Sequence, residues 1–173
     1  MRKIFFVLVL SVLCHSYAVG QGQMDLDRLD EKFTHYLESK LTGWKHERVE
    51  PIQGSSALIQ FWSASNRKIK IAINPQQSGE KAREKMKEFA KYTREARELE
   101  GFGDQAYSWG YAGSNVVFRR GRLVVFVNTY ADVDSDPDAR TLTQQEKENR
   151  ERSEMKRLSK EFAKHVAAAI DLP

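Results

Sequence analysis

Thiols are almost missing from this chain: its 173 residues include one cysteine, Cys14, and that one lies in the opening apolar run. With that run read as a removable signal, the mature protein owns no cysteine. Disulfides, a thiolate nucleophile and every Cys-ligated zinc or iron–sulfur site are then excluded. Charge of one sign is scarce too. Dropping Arg2 and Lys3 from the 28 Lys and Arg leaves 26 against 24 Asp and Glu, a formal +2. A pI near 9.1 therefore overstates how basic the mature chain is, and nucleic acid, which wants a broad basic groove, is not an expected partner. Mean hydropathy of −0.61 with 10% aromatic residues argues against both a membrane-embedded body and wholesale disorder.

Catalytic signatures are lacking as well. The chain contains no Gly-x-Ser-x-Gly elbow and no His-Glu-x-x-His pair. Gly101-x-Gly103 follows a helical pattern and enters a strand, the reverse of a dinucleotide-binding turn. His35 and His165 fall on separate helices, so neither spacing makes a zinc pair. His46 beside Glu47 has the chemistry of a base, but no nucleophile accompanies it. No catalytic residue and no cofactor is expected.

What is present begins with an address. Arg2 and Lys3 form a short positive region, Ile4 to Cys14 an apolar run of about 11 residues, and Ser16, Ala18 and Gly20 offer cleavage after Ala18 or after Gly20. A membrane span needs roughly 20 apolar residues, which neither this run nor any later one reaches. Lipidation at Cys14 would want a small residue before it, and Leu13 is large. Residues 1–20 thus read as a signal peptide, the protein as secreted or periplasmic, and residues 24–173 as one domain, long enough to bury roughly two-thirds of its unfolded surface without disulfides.

Three amphipathic helices are legible. Leu26, Leu29, Phe33, Leu37 and Leu41 recur at three and four, with Asp25 as N-cap and Gly43 as stop. The stretch Ser78 to Leu99 repeats the pattern with Ala82, Met86, Phe89, Thr93 and Ala96, and Gly101 ends it. Thr143 to Ile170 opens on the capping box Thr143-x-x-Glu146 and carries Met155, Leu158, Phe162, Val166 and Ala169. Its first turns, from Gln144 to Glu154, have no apolar stripe and are expected to project into solvent, held by pairs such as Glu146 with Arg150 and Glu148 with Arg152.

Elsewhere the period is two. Trp44 to Glu50 reads as a polar edge strand stopped by Pro51. Ala57 to Ser63 pairs with Lys68 to Ile73 across the turn at Ala64 to Arg67, with Ile69, Ile71 and Ile73 inward and Lys68 and Lys70 wet. Gln105 to Tyr111 sets Tyr107, Trp109 and Tyr111 on one face. Asn115 to Arg119 and Arg122 to Tyr130 form a hairpin about Arg120-Gly121, with Val116 and Phe118 opposite Val117, central and buried on both faces. The expected fold is α+β in the order α-βββ-α-βββ-α, a mainly antiparallel sheet of about five or six strands covered on one face by helices.

The segment Gly101-Phe102-Gly103-Asp104-Gln105-Ala106-Tyr107, followed by an apolar strand, an Arg-Gly turn and the strand Leu123 to Asn128, resembles one found in exported bacterial proteins and lipoproteins of unknown function. Those carry a Gly-x-Gly-Asp-Glu-Ala-Tyr-like stretch before a hairpin and a C-terminal helix. The resemblance covers the C-terminal part of the chain and implies a small exported α+β domain, with no catalytic residues to transfer. Gln105 stands where those proteins often have Glu, which removes any carboxylate role there.

The candidate sites are surfaces. Asp132, Asp134, Asp136 and Asp138 alternate past a central strand and offer hard oxygen ligands to Ca²⁺. They depart from the EF-hand pattern, with Pro137 and Thr143 where Gly and Glu belong; the same run also suits an Asp-rich turn before a helix N-terminus. Tyr107, Trp109 and Tyr111 with Trp62 read either as core or as an aromatic platform, and Arg119, Arg120 and Arg122 as its basic rim or a soluble hairpin tip. The contact surface expected is the exposed sheet face around Trp62, Lys68 and Lys70 with the start of the last helix, and the partner another exported or envelope protein. The alternative is a small-ligand-binding or hydrolytic domain using a pocket between sheet and helices.

Overall fold

The computed structural model describes residues 25–47, 49, 56–134 and 136–171; the expected signal peptide lies outside the described residues, as do Arg48 and Glu50 at the end of the expected first strand. Along the chain come α1 (Leu26–Lys40), β1 (Lys45–Glu47), β2 (Leu58–Ala64), β3 (Arg67–Pro75), α2 (Gly79–Tyr92), β4 (Arg97–Leu99), β5 (Gln105–Trp109), β6 (Asn115–Arg120), β7 (Leu123–Ala131) and α3 (Gln144–Ile170). Two 3₁₀ turns, Tyr111–Gly113 and Pro137–Thr141, interrupt the loops. No helix among the described residues is long and apolar enough to cross a membrane.

Each helix begins where its sequence supplies an acceptor. Asp25 Oδ1 accepts the Arg28 amide at 3.0 Å, and Ser78 Oγ accepts that of Lys81 at 3.1 Å. Thr143 and Glu146 complete the capping box, with the Thr143 amide donating to Glu146 Oε2 at 2.8 Å. Such caps satisfy amides that have no intrahelical partner, each contributing about 1 kcal/mol.

The strands form one sheet of seven, ordered β1-β2-β3-β7-β6-β5-β4, and every pairing is antiparallel. Period-two alternation sends one set of side chains to each face. The inner set, with Trp62, Ile69, Ile71, Ile73, Val116, Phe118, Val125 and Val127, packs on Phe33 and Leu37 of α1 and on Leu158, Phe162, Ala163 and Val166 of α3. The outer set over the other half of the sheet, Val117 and Val124 with Tyr107, Trp109 and Phe126, packs on Ala82, Met86 and Phe89 of α2.

Two expectations are corrected here. Helices cover both faces, not one. A central hairpin apolar on both sides needs cover on both, and α2 supplies the second layer. The sheet also has seven strands, because the second helix stops at Tyr92 and the expected continuation to Leu99 becomes a turn, with Glu95 at φ 64, followed by β4. Thr93 and Ala96 keep the helical spacing, but Arg97, Glu98 and Leu99 close the edge of the sheet against Ser108, Tyr107 and Ala106. Leaving that ladder unpaired would cost more than shortening an amphipathic helix by a turn or two.

The start of α3 also differs from expectation. It does not stand free: Lys147 reaches Asp134 and Arg150 reaches Asp136, each at 2.8 Å, and Glu151 Oε1 accepts the Val133 amide at 3.2 Å. Arg152 keeps its helical neighbour Glu148 at 3.7 Å and lies over the Tyr111 ring at 4.4 Å, while Glu146 is taken by the cap.

Gly103 leaves no room for a side chain against the backbone beside it. Its φ is +102, and a Cβ there would sit 2.5 Å from the carbonyl oxygen of Arg119. That approach lets the Asp104 amide donate to the same carbonyl at 2.8 Å, anchoring the entry to β5 against the hairpin β6–β7.

Candidate binding surface

On the outer face, α2 packs over β5, β6 and β7, and the register of the remaining strands lays out a grid beside it. Lys45, Ser63, Lys68 and Tyr130 form one row across β1, β2, β3 and β7. Glu47, Phe61, Lys70 and Asn128 form the next, and Ile59 with Ala72 continues it toward the β3 end. Lys45, Glu47, Lys68 and Lys70 are exposed, and Tyr130 is 57% exposed. Phe61 and Ile59 are half-buried. The Lys70 ammonium lies 5.7 Å above the Phe61 ring, a cation–π contact of about 0.5–1 kcal/mol at an exposed site.

A cleft of about 650 Å³ opens at the end of this grid, between the β2–β3 turn and the aspartate loop. Ser65, Asn66 and Lys68 form one wall; Tyr130, Asp132 and Pro137 form the other. The walls are clasped together, since the Asn66 side-chain amide donates to the Asp132 carbonyl and the Asp132 amide donates to the Asn66 carbonyl at 3.1 Å. Arg67, also lining the cleft, is held by Glu154 at 2.9 Å.

The structure thus brings Lys68, with Lys70 in the next row, to the rim of the aspartate run, which sequence spacing did not connect. It separates the others. Trp62 belongs to the inner face and is fully buried, 0% exposed, so it is no part of the open surface. Its indole Nε1 donates to Gln60 Oε1 at 3.2 Å, and Gln60 Nε2 in turn donates to Asp30 at 2.6 Å and Thr34 at 3.0 Å. Satisfying that indole is the reason a polar Gln60 is tolerated in the core.

The aromatic platform is divided as well. Tyr107 and Trp109 lie under α2, where Phe89 meets Trp109 edge-on at 5.0 Å and Phe126 at 5.9 Å. Tyr111 leaves the strand for the 3₁₀ turn, 50% exposed, where its hydroxyl accepts from Arg152. The arginines are internally matched. Arg119 pairs with Asp104 at 2.8 Å and Arg120 holds Asp171 with two bonds of 2.8 and 2.7 Å. Arg120 gains cationic stability from that carboxylate, which raises its affinity for its proton. Arg122 is also partnered.

The aspartate run is built into its own loop. Asp132 Oδ1 accepts the Asp134 amide at 3.0 Å and Asp136 Oδ1 accepts the Asp138 amide at 3.2 Å, two Asx turns in succession. Asp134 and Asp136 then neutralise Lys147 and Arg150 of α3. No group of three or more acidic, His or Cys side chains among the described residues is arranged to hold a metal ion. His46 stacks on Trp62 at 5.0 Å between ring centres, and His165 lies near Tyr36 at 6.5 Å.

Phe61, Ile59 and Tyr130 are the surface residues that sequence reading missed. In Leu58-Ile59-Gln60-Phe61-Trp62 both parities are apolar, so alternation alone cannot say which side is wet; only the pairing of Phe61 with Lys70 and of Lys68 with Tyr130 does. No protein-family model matches the chain, and neither a curated protein nor a solved structure shows significant similarity to it.

Proposed function

We propose that this chain is an exported, non-catalytic binding module that engages another exported or envelope protein through the half of its sheet beside α2. The observation that carries the reading is the make-up of that half: Phe61 and Ile59 interleaved with Lys68 and Lys70 on β2 and β3, with Tyr130 at the end of β7 beyond the residues that α2 covers. Rings and apolar side chains set among polar ones on one flat face suit protein contact. The interior supports a surface rather than a pocket as the site of action, because Phe33, Trp62, Phe118 and Phe162 fill the space between the sheet and α1 and α3 with no exposure. The clefts of about 650 and 400 Å³ open at the rim instead.

The test places a photo-crosslinking residue at Phe61 or Lys70 in native cells, with exposed Glu31 of α1 as the comparison. A discrete adduct with one protein from the first two positions and none from Glu31 is the expected result. Equal labelling at all three, or none at Phe61 and Lys70, overturns it. Export is tested separately by N-terminal sequencing of natively produced protein: a start after Ala18 or Gly20 is expected, and an intact Met1 on the whole population rejects it.

A further inference from the structure

We infer that the segment docking on this half of the sheet is acidic and extended, with carboxylates on alternate residues. The inference rests on the preceding proposal that this face is the contact surface, and adds the chemistry of the partner.

Three cations, Lys45, Lys68 and Lys70, share the grid with one carboxylate, Glu47. None of the three lysines forms an ion pair among the described residues. The charges at the adjoining cleft are matched instead: Arg67 with Glu154, Arg150 with Asp136 and Lys147 with Asp134. Among the described residues of this face the uncompensated charge is on balance positive, and it centres on the two lysines of β3.

Their spacing selects the partner's geometry. Lys68 and Lys70 are two residues apart on one strand face, about 7 Å along the strand. Carboxylates on alternate residues of an extended chain repeat at the same distance, so two can meet two ammonium groups without bending the segment. Phe61 beneath the Lys70 ammonium and Tyr130 beside Lys68 in the register give apolar contact to the methylenes of such side chains. A long polyanion is a poorer fit. The lysines span only two rows, with Glu47 on the edge strand and a cleft whose cations already hold carboxylates, so a nucleic acid or a flat anionic membrane would carry most of its charge past them.

The experiment records amide NMR spectra of the full chain during titration with the peptide acetyl-Glu-Val-Glu-Val-Glu-amide. The block peptide acetyl-Glu-Glu-Val-Val-Glu-amide, which has no two carboxylates on alternate residues, single-stranded DNA and phosphatidylglycerol vesicles serve as the other arms. Shifts confined to residues 59–63, 68–72 and 128–130, weakened by salt and by about twofold to fivefold in each of Lys68→Gln and Lys70→Gln, are expected. The alternating peptide should bind more tightly than the block peptide. Shifts spread equally over lysines of α2 and α3, indifference to both substitutions, or tighter binding of DNA or vesicles overturns the inference. Both variants alter exposed side chains, so their folding is checked by the unchanged remainder of the spectrum. A protein captured by crosslinking at Phe61 or Lys70 while the acidic peptide leaves the face unmoved would keep the contact surface and reject its charge preference alone.

Discussion

The outer face of the sheet carries two surfaces built on one alternation. Over β5, β6 and β7 the outward residues are Tyr107, Trp109, Val117, Val124 and Phe126, and α2 closes on them with Ala82, Met86 and Phe89. Over β2 and β3 the residues of the same parity are Ile59, Phe61, Lys68, Lys70 and Ala72. The first half was made into a second core; the second kept its charges, and a lysine cannot be buried unpaired without heavy desolvation cost. Stability on this face therefore concentrates where α2 sits, and the open half is the surface proposed for recognition.

Breaking the covered half should have the largest effect. Met86→Ala removes a fully buried side chain and is expected to lower stability by about 2–5 kcal/mol, read from urea unfolding with an unchanged m-value. Phe61→Ala, on the other half, removes a half-buried ring and its contact with Lys70, and should cost less than about 1.5 kcal/mol. Equal losses at the two positions would abolish the distinction. Lys70→Ala is the smallest change, within about 0.5 kcal/mol in stability, yet it should reduce labelling of the partner from a crosslinker at Phe61.

Acid sharpens the contrast between apolar and ionic cover. Glu154 is held below the ordinary carboxylate range first by its bonds from Arg157, with Arg157, Arg67 and Arg150 adding charge and burial opposing them. Glu146 is lowered in the same sense by the Thr143 hydroxyl and amide. A lowered folded value means that the stabilisation is complete above the unfolded value of about 4.3 and is lost as pH falls through the folded one. Below about pH 4 the amide resonances of residues 144–154 should shift or broaden, while the Met86 methyl resonance under α2 stays in place. Simultaneous loss of both signals would show that the start of α3 and the α2 seat unfold as one unit.

Much of the fold was readable because its local rules agree. The stripe from Leu26 to Leu41, the Thr143–Glu146 box and the alternation of Ile69, Ile71 and Ile73 each point to the element observed. The second helix misled beyond Tyr92 because Thr93 and Ala96 satisfy a helical period that the sheet edge overrides. The candidate surface was half legible. Lys68 and Lys70 announce a wet strand face, whereas Trp62, two residues from Gln60 in a strand apolar on both sides, carries no local mark of the face it takes. The arginines at the hairpin tip looked like a free basic rim for the same reason: Asp171, which neutralises Arg120, is 51 residues away.

By itself the sequence determined which residues share a face, where the helices start, and that Cys14 is the sole thiol, since these follow from spacing, capping chemistry and composition. Only the tertiary structure decided which face each helix covers, that α2 stops short of β1–β3, and which charges cancel. Those outcomes depend on contacts between segments tens of residues apart, and a period of two or 3.6 records the direction of a side chain without naming what it will meet.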